Sequence, residues 1–396
     1  MSIQQSELSM PLTRDVGGLL ICLASAVSLW SLIAAFLLVR EDYVALALAL
    51  GPVLALEGIR RLAPLVFGRL AQSVSANIGV FIAVSVIALV AMPMVLKSNP
   101  YWIHILTLVF IYGFAAQGLN VHLGEIGAIN VGYAGFFAIG AYVSAIGIAD
   151  YGVSFWMSLV YATLACWVVG FLIGACTIKT SGDYLSLVTL GFGLIVYQLA
   201  VNLTFLTHGT DGVHIPAISL LGHGFKEALH LGAITLPKEA NLYYLALAFL
   251  FLAMLLSWRM TNSWIGRTWA AMRQDPVGAG CFGVNVPVMQ VLSFAFGGAF
   301  AGIAGSLYAS EIGFIEPGEF TIFMSISLIC MVILGGMGNW WGVVCGAFIM
   351  IVVPEKLREF QEMRYLLYGV VLLAILIWRP HGLFAGARRK FEKIIG

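Results

Sequence analysis

Apolar blocks long enough to cross a bilayer recur along this chain, with short polar gaps between them. Candidate spans lie near 17–39, 43–57, 77–96, 101–118, 126–148, 153–176, 184–205, 242–258, 288–310, 321–338, 342–354 and 365–378. About 20 apolar residues cross the hydrocarbon as a helix. Segments 43–57 and 342–354 are shorter, and each suits a half-helix or a re-entrant piece. Backbone groups in lipid must pair internally, which leaves only helices or a closed barrel. Blocks of this length without a period of two read as helices. The pattern predicts an all-α, polytopic transmembrane helical bundle of about 10–12 membrane segments.

Composition agrees. Hydrophobic residues make up 61% of the chain and charged residues 10%, with a mean hydropathy of +0.98. A soluble domain carries about 25% charged residues, so the solvent of this chain is largely lipid. Alternating the spans from a cytoplasmic N-terminus puts 13 Lys and Arg residues inside and 7 outside. That bias places both termini of this multi-pass protein in the cytoplasm. A net charge of +1 gives no reason to expect nucleic acid. The cysteines lack C-x-x-C spacing, so neither a zinc site nor a disulfide framework is indicated.

The chain divides by composition. Residues 1–76 form an N-terminal extension with one or two spans, a basic connector and few membrane glycines. Residues 77–384 form a transmembrane domain that is Gly-rich from about Tyr101 onward, and 385–396 form a basic cytoplasmic tail. Two loops stand out, an outer one at 206–241 and a cytoplasmic one at 259–287. GFLIG (170–174), GAFAG (298–302) and the series Gly338, Gly342, Gly346 have small residues every four positions, a spacing that lets helix backbones approach closely in lipid.

Enzyme signatures are missing. There is no H-E-x-x-H, no G-x-S-x-G and no phosphate loop. If the chain works in an ATP-driven machine, ATP and Mg belong to another subunit, and no cofactor or metal is expected here. The spans carry neutral amides, among them Gln117, Asn120, Asn130, Gln198 and Asn202, while Glu125 and Asp183 fall near predicted ends. Few ionisable groups at depth argues against a proton or sodium relay. His104 and His122 read as packing or interfacial residues.

Two segments are unusual. In GEIGAINVGYAGFFAIGAY (124–142), glycines recur among apolar residues with Asn130 and Tyr133. Each glycine weakens a helix by up to about 1 kcal/mol, so a bent or partly unwound segment beside a cavity is expected. In the cytoplasmic loop, WIGRTWAAMR suits a short amphipathic helix with Arg267 and Arg273 exposed. Asp275 and Pro276 signal a second helix start, and Gly283 its stop. A compact helix projecting there is something a motor subunit can push.

The loop GRTWAAMRQDPVGAGCFGVN (266–285) and FAFGGAFAGIAGSLYA (294–309) resemble the permeases of branched-chain amino-acid ABC importers, and among them the LivM type. GYAGFFAIGAY (132–142), SGDYLSLVTLGFG (181–193), GFIEPGEFT (313–321), GGMGNWWGVVCGA (335–347) and WRPHGLF (378–384) resemble family blocks in the same order. The resemblance covers roughly 100 to 384, and urea and short-amide permeases share much of the pattern. It implies a second paralogous permease subunit, two ABC ATPase subunits that bind ATP and Mg, and a periplasmic or extracellular substrate-binding protein. It assigns Gly266, Arg267, Arg273, Asp275, Pro276, Gly283 and Asn285 to an ATPase-coupling loop. Asn120 joins Asn130, Gly132, Tyr133, Gly135, Gly182, Asp183 and Tyr184 as candidates near the translocation path. Leu194 stands where the family often has an acidic residue, and THGTDG (207–212) where it often has T-G-G-x-x-G.

Overall fold

The computed structural model describes residues 16–38, 77–178, 180, 182–216, 219–220, 223–224, 229–231 and 234–356, with 369, 373, 377, 382 and 383 beyond them. The predicted spans 43–57 and 365–378, and the basic tail, lie outside the described residues apart from 369, 373 and 377. Helices run in the order α1 (Val16–Leu38), α2 (Ile78–Val95), α3 (Pro100–Asn120), α4 (Tyr133–Ala149), α5 (Phe155–Cys176), α6 (Asp183–Asn202) and α7 (Thr204–Thr207). They continue with α8 (Ala240–Asn262), α9 (Trp264–Gln274), α10 (Pro276–Cys281), α11 (Val286–Ile312), α12 (Ile322–Gly335) and α13 (Trp340–Lys356). Among the described residues, six helices are long and apolar enough to cross a membrane. The protein is a multi-pass helical bundle.

The packing divides between Trp102 and Ile103. In the first unit α1 packs on α2, where the Cys22 thiol donates to the Asn77 carbonyl. In the second unit α11 lies against α5 and α4, and α12 against α13. Both G-x-x-x-G motifs act as spacers for the α5–α11 seam. A Cβ on Gly302 would sit 2.6 Å from the Ala162 carbonyl oxygen, and one on Gly174 would sit 2.8 Å from the Val291 Cα. Polar glue adds to the seam: the Ser144 hydroxyl lies 2.8 Å from that of Ser306 and 3.1 Å from that of Ser158, tying α4, α11 and α5 together. The outer faces of α5 and α6 expose Trp156, Leu164, Phe171, Leu187 and Ile195, as suits helices solvated by lipid or partners.

Three sequence expectations need correction. The span placed at 126–148 becomes helical only at Tyr133, because the preceding helix runs on through a π turn (Val121–Ile126) and residues 127–132 are not helical. The loop expected at 259–287 is shorter at its start, since α8 continues to Asn262. The loop expected at 206–241 carries strand pieces that the apolar pattern did not reveal. These are β1 (Val213–His214), β2 (Ser219–Leu220), β3 (His223–Gly224), β4 (Leu229–Leu231) and β5 (Ile234–Leu236). Of these, β1 pairs antiparallel with β6 (Phe314–Ile315) beyond α11, fastening this loop to the C-terminal end of that helix.

Candidate functional site

The site is built around the break between α3 and α4. The π turn is held from outside its own helix. The Asn120 side-chain oxygen accepts the Gly338 N–H at 2.9 Å, and a Cβ at Gly124 would meet that nitrogen at 2.5 Å. Gly127 then turns left-handed at φ +82° and ends the run. Irregular backbone survives at membrane depth only where protein satisfies it, and here it is satisfied. The His122 Nε2–H donates to the Ser293 carbonyl at 3.0 Å, and its Nδ1 accepts from the Asn130 amide at 3.2 Å. The Asn130 oxygen accepts the Gly132 N–H at 3.1 Å. Val131 N–H donates to the Thr189 hydroxyl (3.1 Å), Ala134 N–H to the Ser325 hydroxyl (2.9 Å), and the Tyr133 hydroxyl donates to the Gly297 carbonyl (2.8 Å). Side chains from the π turn, α6 and α12 thus stand in for the missing helical bonds.

A cleft of about 260 Å³ opens beside the break. Val131 and Ala134 form one wall, Leu190, Leu194 and Tyr197 of α6 the second, and Phe320 and the first turn of α12 the third. Its size is near the lower end of small-ligand pockets, and its walls are mostly apolar.

The loop after α8 is seated on the other side of the π turn. Trp269 and Met272 of α9 are buried with Ala279 of α10 and with Val121, the first residue of the π turn. The Trp269 indole N–H donates to the Met289 carbonyl at 3.0 Å. Gly266 lets α9 fold back onto the end of α8, where a Cβ would meet the Thr261 carbonyl carbon at 2.7 Å. The Arg273 guanidinium donates to the Gly124 carbonyl, and the Thr261 hydroxyl donates to the buried Glu125 carboxylate at 2.9 Å. The Asp275 side chain caps α10 by accepting the Val277 N–H at 2.9 Å, and Pro276 occupies its first turn. Gly283 follows at φ +85°, and Asn285 caps α11 through the Val288 N–H at 3.3 Å. Phe282, 91% exposed, projects from the tip beside exposed Val277.

Comparison with known proteins decides what this arrangement belongs to. The family described as branched-chain amino acid transport system, permease component, matches residues 101–376. The high-affinity branched-chain amino acid transport system permease protein LivM of Escherichia coli K12 is 34% identical over 325 residues, covering 79% of this chain and 76% of the relative. A probable branched-chain amino acid transport permease protein LivM of Methanocaldococcus jannaschii is 27% identical, covering 57% of this chain and 68% of the relative. The autoinducer 2 import system permease protein LsrC of Salmonella typhimurium is 29% identical over 47% of this chain and 57% of the relative. No solved structure matches.

The chain belongs to the branched-chain amino acid transport permease family.

Within this permease the residues assigned to the path separate into two groups. Asn120, Asn130, Gly132, Tyr133 and Gly135 come together at the break, and Asn130 and Tyr133 are fully buried in hydrogen-bonded packing. Tyr184 does not join them: it is 75% exposed at the start of α6, next to Asp183 and to Gly182 at φ +60°. In the loop between α8 and α11 Arg267 is exposed as expected, but Arg273 is half-buried and turned back onto the π turn. The amphipathic period put both on one polar face, and the backbone carbonyl that draws Arg273 inward lies 149 residues away in sequence. The cleft residues Leu190, Tyr197, Phe320 and Ser325 were missed. The one signal pointing to them was Leu194, which lines the cleft where the family pattern often has an acid.

Proposed function

We propose that this chain is the permease subunit of an ATP-driven importer that moves branched-chain or related hydrophobic amino acids into the cytoplasm. A second, paralogous permease completes the pathway, two ATPase subunits supply ATP and Mg chemistry, and a soluble protein outside delivers the substrate. The chain sits in the bacterial inner membrane with both termini cytoplasmic. One observation carries this reading: the loop between α8 and α11 rests on the π turn that leads into the broken segment beside the cleft.

Arg267, Val277 and Phe282 are outward residues that an ATPase can grip. Gly266, Trp269 and Asp275 keep the loop compact, so a push on its tip moves the whole unit. Arg273 then carries the push to Gly124 and so to Asn130, Gly132 and Tyr133. The chain itself performs no chemistry. Its part is to change which side the cleft faces. Leu194 in the cleft wall favours an apolar side chain over urea or a short amide.

Affinity purification of the full chain from its host in mild detergent, followed by reconstitution and uptake assays, tests this. Co-purification of a second permease and ATPases, with ATP-dependent L-leucine uptake, is expected. Uptake of urea but not leucine would move the assignment to the amide importers. Solute movement by the chain alone without ATP would overturn it.

A further inference from the structure

At the end of α11 remote from the coupling loop, the rings of Tyr112, Phe137, Tyr142, Tyr308 and Phe320 meet with centroids 5.4 to 6.2 Å apart. Glu319, in the 3₁₀ turn Pro317–Glu319, borders them. The Tyr308 ring packs edge-on against Tyr112 at 5.9 Å, and the Glu319 carboxyl lies close enough to Tyr142 and Tyr308 to act on both electrostatically. Packing alone would leave nothing over, yet two polar atoms remain. Glu319 Oε2 and the Tyr142 hydroxyl are sealed from solvent without a hydrogen-bond partner among the described residues. Tyr142 is only 6% exposed.

An unsatisfied buried polar group is destabilising, the more so when charged. Two in one cluster call for an explanation. They contrast with the break, where His122, Asn130, Thr189 and Ser325 are all bonded. The chemistry of these two atoms and the rings around them is specific. A carboxylate oxygen and a hydroxyl offer acceptor sites, and the ring faces attract a cation. The carboxylate excludes an anion. Among the described residues no three His, Cys, Asp or Glu side chains gather as a metal site would need. A primary ammonium satisfies every element. The Phe320 ring belongs both to this cluster and to the cleft wall, so the two adjoin.

We propose that Glu319 and Tyr142, within their ring of aromatic faces, bind the ammonium group of an amino-acid substrate at the end of the pathway remote from the ATPase. This rests on the permease reading above and specifies how substrate is recognised there.

The test uses the full chain assembled with its partner subunits in nanodiscs, reading thermal protection against ligand concentration. Three probes share a branched alkyl group: L-leucine, 3-methylbutylamine and 4-methylpentanoate. The two amines should protect and the carboxylate alone should not. Glu319→Gln should weaken protection by both amines about tenfold or more, the size of a lost charged hydrogen bond. Tyr142→Phe, which keeps the ring, should weaken it about fivefold. Equal protection by 4-methylpentanoate, unchanged affinity in Glu319→Gln, or no protection of wild type by either amine overturns the proposal. If Glu319→Gln does not assemble, Tyr142→Phe decides on the same criterion. ATP-dependent leucine uptake by the same wild-type particles reports on the permease reading separately: uptake with protection indifferent to Glu319 sinks the ammonium site and leaves the permease standing.

Discussion

The two ends of α11 solve opposite problems. At its Val286 end the loop between α8 and α11 and the π turn are tied down by named bonds, although the Gln117 Oε1 and Ser257 Oγ, each about one helical turn away on α3 and α8, are buried without a partner among the described residues. Arg273, Thr261, Trp269, Asp275 and Asn285 each bond to a named backbone or side-chain group. At its Ile312 end a carboxylate oxygen and a hydroxyl are held in an apolar setting without partners. A segment that transmits force benefits from having every polar group fixed. A segment that receives a ligand must keep acceptors free. Under the proposed function, the bonded end is the one that would take the push and the other the one that would take the ligand.

The sharpest way to break the comparison is at Gly124. Valine there meets Asn120 and the Gly338 nitrogen, and should destabilise the chain by about 3 kcal/mol or more, visible as lost thermal stability in nanodiscs. Asn130→Ala should follow, at about 2–4 kcal/mol, because it strips partners from both His122 and the Gly132 N–H. Arg273→Ala removes a charged hydrogen bond of about 2 kcal/mol. ATPase activity of the complex should persist while uptake falls, and Arg273→Lys should restore part of it; coupled transport at the wild-type rate would show that the Gly124 contact transmits nothing. Asp275→Ala loses a helix cap of about 1 kcal/mol and should loosen α10, read by faster amide exchange over 276–281. The smallest effect has the opposite sign. Without substrate, Tyr142→Phe should leave stability unchanged or raise it by up to about 1 kcal/mol, since it removes a hydroxyl that nothing satisfies. A clear loss of stability in that variant would mean the far end is as fully bonded as the near one.

The helices were legible because lipid imposes one rule on every span. Asp275-Pro276 and Gly283 announced a helix start and stop through local stereochemistry, and the cap geometry follows them. The glycines around Asn130 announced a break, and residues 127–132 are not helical. The π turn was not legible. VHLGEI has no local signature for it, and its contact from Asn120 to Gly338 spans 218 residues. Arg273 was misread for the same reason, its acceptor being a carbonyl on another helix. Phe320, Tyr197 and Leu190 line the cleft with the same apolar chemistry that faces lipid elsewhere, so hydropathy cannot tell the two surfaces apart.

The α5–α11 seam has a mechanical consequence. Glycines that admit no Cβ bring the two backbones into contact along the seam, a packing that suits a pair moving as one beam. At 27 residues, α11 is about 40 Å long. A tilt of about 5° about its midpoint shifts each tip by about 2 Å, in opposite directions. Under the proposed function, a stroke at the Val286 tip would be returned at the Ile312 tip, next to β6, alongside the route through Arg273 and Gly124. A short cross-link between α5 and α11 should leave uptake unchanged, whereas one bridging the cleft from α6 to α12 should stop it. Under the proposed function the seam would make α11 a seesaw, with the motor contact at one seat and the substrate door at the other.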